Sequence, residues 1–276
     1  MPHVVAVANQ KGGVGKTTTV VNLAAVLASL GKTVLVLDLD PQANATSGLG
    51  VEPKAGVSLY PALIGASQID DVIVGTSIEN VNLIPAEVNL AGAEIEIARM
   101  PDHLGGLAKV LDPIRQSKVF DFIVIDCPPS LGILMTSALA ATDSVLVPMQ
   151  CEYYAMEGLS VIVGLVERMR AGGANPRLFI EGIVMTMFSR TKLADDVVEQ
   201  VRGHYGSLVY DSIIPRSVRA GEAPSFGLPV VAYAPSSSVA VGYFNFGAEF
   251  LARFNLRASL DRSTDLPPQP KSSNLA

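Results

Sequence analysis

The residues at positions 9–19, NQKGGVGKTTT, have the types and spacing of a loop that binds phosphate. Its three glycines let backbone N–H groups converge on phosphate oxygens, and a helix that begins near Lys16 adds the positive end of its dipole. In the usual G-x-x-x-x-G-K-[ST] pattern the lysine reaches the β- and γ-phosphates and the hydroxyl binds Mg²⁺, which assigns these roles to Lys16 and Thr17. The nucleotide-binding residues that this pattern predicts are Gly12, Gly13, Val14, Gly15, Lys16, Thr17 and Thr18.

Two features of this loop depart from the usual pattern. Gln10 stands where the first glycine is expected, and a second lysine, Lys11, stands at the front of the loop. A tight glycine turn with two solvated lysines is the structural alternative. However, a strand-like run before the loop and a helix-like segment after it are the context that the motif requires. The pattern therefore favours nucleotide binding and leaves the purpose of Lys11 open.

Carboxylates end two further strand-like runs. The run FIVID ends in Asp126, a Walker B pattern, and VLVLDLD carries Asp38 and Asp40. Strand alternation puts Asp38 and Asp40 on the same side, at the end of the sheet where ligands of α/β folds bind. Two carboxylates there repel each other unless a metal, a lysine or a water needs them. We expect Asp126 to contact Mg²⁺ and one of the other two to orient the attacking water; capping or turn acids are the alternative.

The elements that must position these residues alternate between strands and helices. Apolar runs rich in Val and Ile suit strands that are buried on both faces of a parallel sheet. The order predicts an α/β fold with a doubly wound, mostly parallel sheet flanked by helices. The predicted strands are Val4–Ala8, Thr33–Leu39, Phe122–Asp126, Ser144–Pro148, Phe179–Met187 and Val209–Ile214. The predicted helices are Thr17–Leu30, Leu131–Ala141, Glu157–Ala171 and Ala194–His204.

Composition limits the classes of protein that this chain can be. It has 276 residues, 49% of them hydrophobic, and a net charge of −6, so any binding to nucleic acid must use a local patch. We predict one domain over residues 1–257, an excursion from the sheet with short helices over 50–100, and a disordered tail over 258–276. The two cysteines, Cys127 and Cys151, form no CxxC pattern, and neither a signal peptide nor a membrane span is apparent. These features predict a cytoplasmic protein.

Five segments, in order and well spaced, strongly resemble the ParA/Soj partition ATPases. These belong to the deviant Walker A group of P-loop NTPases, which includes MinD. The segments are KGGVGKTT, DLDPQANATSGLG, DFIVIDCPPSLGILMTSAL, VPMQCEYYAMEGLS and IPRSVRAGEAPSFGLPV. The resemblance implies a homodimer that forms with ATP and Mg²⁺, binds duplex DNA without sequence preference, and associates with the nucleoid. A ParB-like adaptor is then expected to stimulate ATP hydrolysis, so that chromosome or plasmid DNA is segregated or positioned.

The same resemblance assigns roles to individual residues. Lys11 matches the signature lysine, which crosses the dimer interface to the partner's nucleotide, and Gly12 must be small for the partner to approach. Asp40 matches the residue that positions the hydrolytic water, and Asp38 lies near the metal shell. The predicted catalytic residues are Lys11, Lys16 and Asp40; the predicted metal-binding residues are Thr17, Asp38 and Asp126; Pro215 and Ser217 match the loop near the adenine.

The resemblance implies that DNA binds to basic residues late in the chain. The candidates are Arg190, Lys192, Arg216 and Arg219, with Arg202 less favoured. Several acidic residues lie nearby, so scattered solvated basic residues are the alternative explanation. The run YAPSSSVAVGYF also departs from the family, because the acid expected at Ala234 and the basic residues expected at 236–238 are missing. This departure puts in doubt one edge of the DNA surface, or a local ion pair.

Other functions remain open from the sequence. A MinD-like ATPase at a membrane surface would need a basic amphipathic helix near the C-terminus, although a last core helix is the more ordinary explanation of the aromatic residues there. Those residues, which fall on one helical face, are Tyr243, Phe246, Phe250 and Phe254. An iron–sulfur reductase of the same fold would need two cysteines that bridge a dimer. A scaffold that binds nucleotide without turnover is disfavoured by the intact catalytic set, and a ParA-like positioner of a protein cargo would differ in its adaptor.

Overall fold

The computed structural model describes residues 1–99, 102–152 and 155–260. Over these ranges one eight-stranded sheet comprises β1 (His3–Val7), β2 (Val34–Asp38), β3 (Val74–Gly75), β4 (Val81–Ile84), β5 (Phe122–Asp126), β6 (Ser144–Gln150), β7 (Phe179–Phe188) and β8 (Val209–Pro215). The strand order is β3-β4-β2-β5-β1-β6-β7-β8. Every neighbouring pair is parallel except the short β3, which is antiparallel to β4. The predicted doubly wound, mostly parallel sheet is confirmed.

Helices cover both faces of this sheet. They are α1 (Lys16–Ser29), α2 (Asn44–Gly48), α3 (Leu59–Leu63), α4 (Leu90–Ala98), α5 (Gly106–Ser117), α6 (Ile133–Ala141), α7 (Ala155–Ala171), α8 (Lys192–Tyr205), α9 (Val218–Glu222), α10 (Val230–Tyr233) and α11 (Ser238–Leu260). Side chains alternate along β1, so that Val4 and Ala6 join one buried apolar cluster and Val5 and Val7 join the other. The sheet is therefore buried on both faces, as its apolar strands predict.

The stretch 50–100 differs from its prediction. It contains the expected short helices, but it also supplies β3 and β4, and Val81 and Leu83 of β4 align with Val34 and Val36 of β2. The prediction of an excursion away from the sheet is therefore wrong for residues 74–84. The run Val81–Ile84 has only four residues and includes Asn82, so it lacks the long apolar signal that marks the central strands.

The last helix extends past the predicted end of the domain, and its aromatic face is internal. Tyr243, Phe246 and Phe250 are buried in the cluster that α11 forms with α1 and the sheet, which confirms a core helix. The helix continues through Leu260, past the predicted boundary at 257, and the remainder of the predicted tail, 261–276, lies outside the described residues. Within the described ranges, no helix is both long and apolar enough to cross a membrane.

Candidate functional site

The predicted site residues lie at one edge of the sheet. Strands β2, β5, β1 and β6 are neighbours in the order and run in parallel, so the loops after their carboxyl ends lie side by side. Asp38 ends β2 and Asp126 ends β5, and these two residues are aligned with each other in the sheet. Val7, after which the phosphate loop follows, is also aligned with Asp126. The fold therefore brings the loop and both carboxylates together.

The loop has the backbone that an anion site requires. Gly13 and Gly15 have φ of +74° and +89°, in the left-handed region that favours glycine. Gly15 is also the N-cap of α1, and glycine has no side chain that could cap the helix. The N–H groups of the first turn therefore have no side-chain acceptor from the cap, and the helix dipole places partial positive charge there. This end of α1 suits a phosphate group.

Lys16 is a buried cation. Lys16 is only 7% exposed, and its Nζ donates to the Lys11 carbonyl oxygen at 3.3 Å. Burial lowers the pKa of the Lys16 ammonium, while the charge of Asp126 opposes this shift. A buried charge is stable only when it is paired, so Lys16 needs an anionic partner. A nucleotide phosphate meets this need.

Thr17 and Asp126 fit a magnesium ion. The Thr17 hydroxyl donates to Asp126 Oδ2 at 2.7 Å, which leaves the hydroxyl oxygen lone pairs available as ligands. The other Asp126 oxygen, Oδ1, is buried and has no hydrogen-bond partner among the described residues. Burial, and then the charge of Asp38, raises the pKa of Asp126 well above its ordinary value. No group of three His, Cys, Asp or Glu side chains in the described residues is placed to hold a metal alone. Mg²⁺ commonly shares one or two protein ligands with substrate phosphates, and this arrangement suits that mode.

Asp38 and Asp40 have different positions. Asp38 is fully buried; its Oδ2 accepts from the Thr46 backbone N–H at 2.8 Å and the Thr46 hydroxyl at 2.7 Å, and its Oδ1 accepts from Asp40 N at 3.1 Å. Burial raises the pKa of Asp38 to about 6, although these hydrogen bonds lower it in part. Asp38 thereby fixes the turn that carries Asp40, and Asp40 itself is half-buried beside the site. A metal-binding role for Asp38 stays a prediction.

Lys11 is paired within its own chain. Its Nζ donates to Glu152 Oε2 at 2.7 Å, and Arg216 Nη2 lies 3.9 Å from the other oxygen of Glu152. Both partners of the Lys11 pair are partly exposed, so the pair is solvated and exchangeable. Sequence reasoning did not single out Glu152, although it lies in the segment VPMQCEYYAMEGLS that carries the family resemblance.

The residues predicted to bind DNA follow the carboxyl ends of β7 and β8, at the same end of the sheet as the phosphate loop. Arg190 lies between β7 and α8, and Lys192 begins α8; both are exposed. Arg219 is exposed and pairs with Glu222 at 2.9 Å. The less favoured Arg202 instead donates to the Asp211 carbonyl oxygen at 3.0 Å.

The two residues predicted near the adenine lie next to this basic group. Pro215 is the last residue of β8, and Ser217 is the N-cap of α9, where its hydroxyl accepts from Arg219 N at 3.2 Å. The loop that joins them therefore connects the predicted adenine contacts to the predicted DNA contacts. No nucleotide contact of either residue follows from this geometry, so both stay predictions.

The two cysteines have buried thiols. Cys127 is fully buried next to Asp126, and burial raises the pKa of both thiols, to about 11 for Cys151. A cluster shared between two subunits needs accessible thiolates. These positions therefore do not favour the iron–sulfur alternative.

A phosphate loop with two lysines after β1 and a buried aspartate after β5, on a doubly wound sheet, define a P-loop ATPase of the deviant Walker A type. The AAA_31 family model, an AAA domain, matches residues 2–180. The sporulation initiation inhibitor protein Soj of Bacillus subtilis is 48% identical over 255 residues, covering 91% of this chain and 99% of Soj. The chromosome partitioning protein ParA of Caulobacter vibrioides is 43% identical over 253 residues, covering 91% of this chain and 94% of ParA. The chain belongs to the Soj/ParA family of chromosome-partitioning ATPases.

A solved structure of similar fold contains a bound nucleotide and magnesium. Cobyrinic acid a,c-diamide synthase from Mycobacterium smegmatis, with bound ADP and magnesium, has a TM-score of 0.78 and 34% identity, and the match covers 98% of this chain and 100% of that one. The predictions of family, fold, ATPase activity, and ATP and Mg²⁺ as cofactors are confirmed by these likenesses. The roles of the individual site residues stay predictions.

Proposed function

We propose that the chain is an ATP-switched homodimer that segregates or positions chromosome or plasmid DNA. The observation that carries the proposal is Gly12, next to the second lysine of the loop. Gly12 is exposed, its φ is not positive, and a Cβ added there would meet no atom of the chain within 4 Å. Neither the backbone conformation nor packing within the described residues therefore requires glycine at this position. A second subunit that approaches the loop closely supplies the reason, as the family resemblance implies.

The site residues divide the work of hydrolysis. The loop amides and Lys16 hold the phosphates, and the half-buried Asp40 orients the attacking water from the turn that Asp38 fixes. Mg²⁺, when bound by Thr17 and Asp126 together with the phosphates, neutralises negative charge on them. Lys11 leaves Glu152 and reaches the partner's nucleotide, so that a cation arrives only when two chains have paired.

DNA binding is proposed to follow from dimerisation. The whole chain carries a net charge of −6, so attraction to phosphate must come from the local basic residues. These residues lie at the same edge of the sheet as the nucleotide loop, and a dimer presents two copies of them at once. The relative from Caulobacter vibrioides is named for chromosome partitioning, which supports DNA as the cargo. A ParB-like adaptor then stimulates hydrolysis at the nucleoid in the cytoplasm.

Light scattering and DNA binding test the proposal together. The wild-type chain should be a monomer with ADP and a dimer with ATP, and only the ATP form should bind duplex DNA of any sequence tightly. Fluorescence anisotropy should show a log–log salt dependence of about 0.9 for each phosphate neutralised. Arg219→Glu should weaken DNA binding and leave ATP-driven dimerisation unchanged.

The matched control is Arg177→Glu. Arg177 is also exposed, but it lies just before β7, at the opposite edge of the sheet. Reversing its charge should leave DNA binding unchanged. Equal affinity of the wild type with ATP and ADP would contradict the DNA-carrier function.

The membrane-surface alternative has less support. It needs an exposed apolar face on the C-terminal helix, and the aromatic residues at 243, 246 and 250 are buried in the core. Flotation with anionic liposomes tests it directly. A protein cargo in place of DNA remains compatible with the same switch, and failure of DNA binding with intact ATP-driven dimerisation would favour it.

A further inference from the structure

Two buried polar side chains near the ends of β6 and β7 donate hydrogen bonds to the phosphate loop. Gln150 ends β6 and is 8% exposed, and Thr186 of β7 is 1% exposed. They are directly aligned on adjacent parallel strands. Gln150 Nε2 donates to the Gly13 carbonyl oxygen at 3.1 Å, and the Thr186 hydroxyl donates to the Val14 carbonyl oxygen at 2.8 Å. Two successive peptide groups of the loop are therefore held by two strands that do not belong to the motif.

These contacts fix the direction of the loop amides. In a trans peptide the C=O and the following N–H point in opposite directions, and none of the described peptide bonds is cis. Because the Gly13 and Val14 carbonyls point toward β6 and β7, the next N–H groups, of Val14 and Gly15, point away from these strands. That is the side on which the nucleotide must lie if the loop is to hold its phosphates.

The start of the loop is held in the same manner. Asn9 Oδ1 accepts from Lys11 N at 3.0 Å, and Asn9 Nδ2 donates to the Pro148 carbonyl oxygen on β6 at 2.8 Å. Gln150 is in turn held by Met187, whose Sδ lies 2.8 Å from Gln150 Nε2. Met187 has φ of +51°, which is uncommon for a residue other than glycine. The local backbone at the end of β7 thus adopts a strained conformation directly under the loop.

We propose that Gln150 and Thr186 are positioning residues of the nucleotide site, which orient the Val14 and Gly15 N–H groups toward the phosphates before nucleotide binds. This inference rests on the proposed function. Without either donor, the corresponding peptide group can turn over, because nothing else in the described chain holds its carbonyl. Only part of the population then has a loop that is competent to bind, and the apparent affinity falls by that fraction.

The test measures nucleotide affinity in variants that change one donor. Thr186→Val keeps the shape and removes the hydroxyl, and Gln150→Met keeps the length and removes the amide. Each should weaken the binding of a fluorescent ATP analogue with Mg²⁺ by about fivefold, the change that one ordinary hydrogen bond supplies. Turnover at saturating ATP should remain near that of the wild type, because the bound nucleotide restores the loop. Thr186→Ser, which keeps the hydroxyl, should retain wild-type affinity.

The control is Thr142→Val. Thr142 is equally buried and its hydroxyl also donates to a backbone carbonyl, that of Val4 at 2.9 Å, but at the opposite end of the sheet. Its loss should lower the melting temperature and leave nucleotide affinity unchanged. Wild-type affinity in Thr186→Val and Gln150→Met, or an equal loss in Thr142→Val or Thr186→Ser, would overturn the inference and leave the proposed function intact. A wild-type chain that binds no ATP would overturn both.

Discussion

Gly12→Val separates an effect inside the monomer from an effect at an interface. Gly12 has open space around a Cβ and no positive φ, whereas Gly13, its neighbour, has φ of +74°. A Cβ at Gly12 therefore meets no atom of the described residues and requires no left-handed backbone. A side chain at Gly13 forces a left-handed conformation, which costs about 1–2 kcal/mol. The backbone conformation therefore favours glycine at position 13, whereas at position 12 the proposed reason is the approach of a partner subunit.

The expected magnitudes follow from this difference. Replacing glycine where the backbone is compatible stabilises a protein by about 0.4–1 kcal/mol, because the unfolded chain loses freedom. For a chain of this size, that corresponds to a melting temperature about 1–4 °C higher. At a close interface an extra side chain costs about 1–3 kcal/mol. A symmetric dimer contains two such sites, so dimerisation should weaken by about 30-fold to 10⁴-fold.

Three measurements on Gly12→Val and on Gly13→Val decide the question. Thermal unfolding should show Gly12→Val at least as stable as the wild type and Gly13→Val less stable. Titration with a fluorescent ATP analogue should show that Gly12→Val still binds nucleotide. Light scattering with saturating ATP should show that it stays a monomer at concentrations where the wild type is a dimer.

Two results would refute the reasoning. A Gly12→Val chain that dimerises like the wild type would show that the partner does not approach this residue. A Gly12→Val chain that is much less stable than the wild type would show that the monomer itself needs glycine here. Loss of nucleotide binding with unchanged stability would show that Gly12 is close to the nucleotide and not to the partner subunit.

Three further predictions concern the carboxylates. Asp40→Ala should bind ATP normally and hydrolyse it about 10²-fold more slowly, since it removes the group that orients water; unchanged phosphate release would exclude Asp40 from the mechanism. In metal-free protein, Asp126→Asn should raise the melting temperature more at pH 7.5 than at pH 5, as thermal unfolding in EDTA will show. Burial and the Asp38 charge raise the pKa of Asp126, so the wild type loses stability as pH rises from the unfolded pKa to the folded one; a variant less stable at pH 7.5 contradicts this. Glu152→Gln should change ATP-driven dimerisation in light scattering by no more than about 30-fold, because each of the two exposed Lys11 pairs in a symmetric dimer contributes about 0.2–1 kcal/mol. A much larger loss would place Glu152 in the dimer contact.

The parts of the site that the sequence predicted are contiguous in the chain. The phosphate loop has its glycines, lysines and hydroxyls within eleven positions, 9–19, and a buried strand precedes it. Asp126 was predicted because β5 is a continuous apolar run that ends in an acid. In both cases the local pattern alone carries the chemistry, and the rules of α/β folds place the ends of the strands together.

The parts that the sequence did not reveal depend on contacts between distant positions. Gln150 lies 137 residues from Gly13, and Thr186 lies 172 residues from Val14. A single polar residue at the end of an apolar strand carries no signal of the carbonyl that it will meet. Strand β4 escaped prediction for a related reason, since its pairing with β2, and not its own four residues, makes it a strand.

The charges at the edge of the sheet suggest why DNA binding should depend on dimerisation. Within the described chain, Arg219 is paired with Glu222, and Arg216 shares Glu152 with Lys11. Acidic neighbours therefore cancel part of the positive charge of these residues in each monomer. Solvated ion pairs of this kind attract DNA phosphates weakly, and hardly at all beyond the Debye length. If Lys11 leaves for the partner's nucleotide, Arg216 is the one cationic partner of Glu152 that remains among the residues described by the structure. High affinity for DNA then requires the remaining cations of both chains to contact one duplex. Once one chain is bound, the effective concentration of the other chain's cations near the duplex is high, although no single contact is stronger.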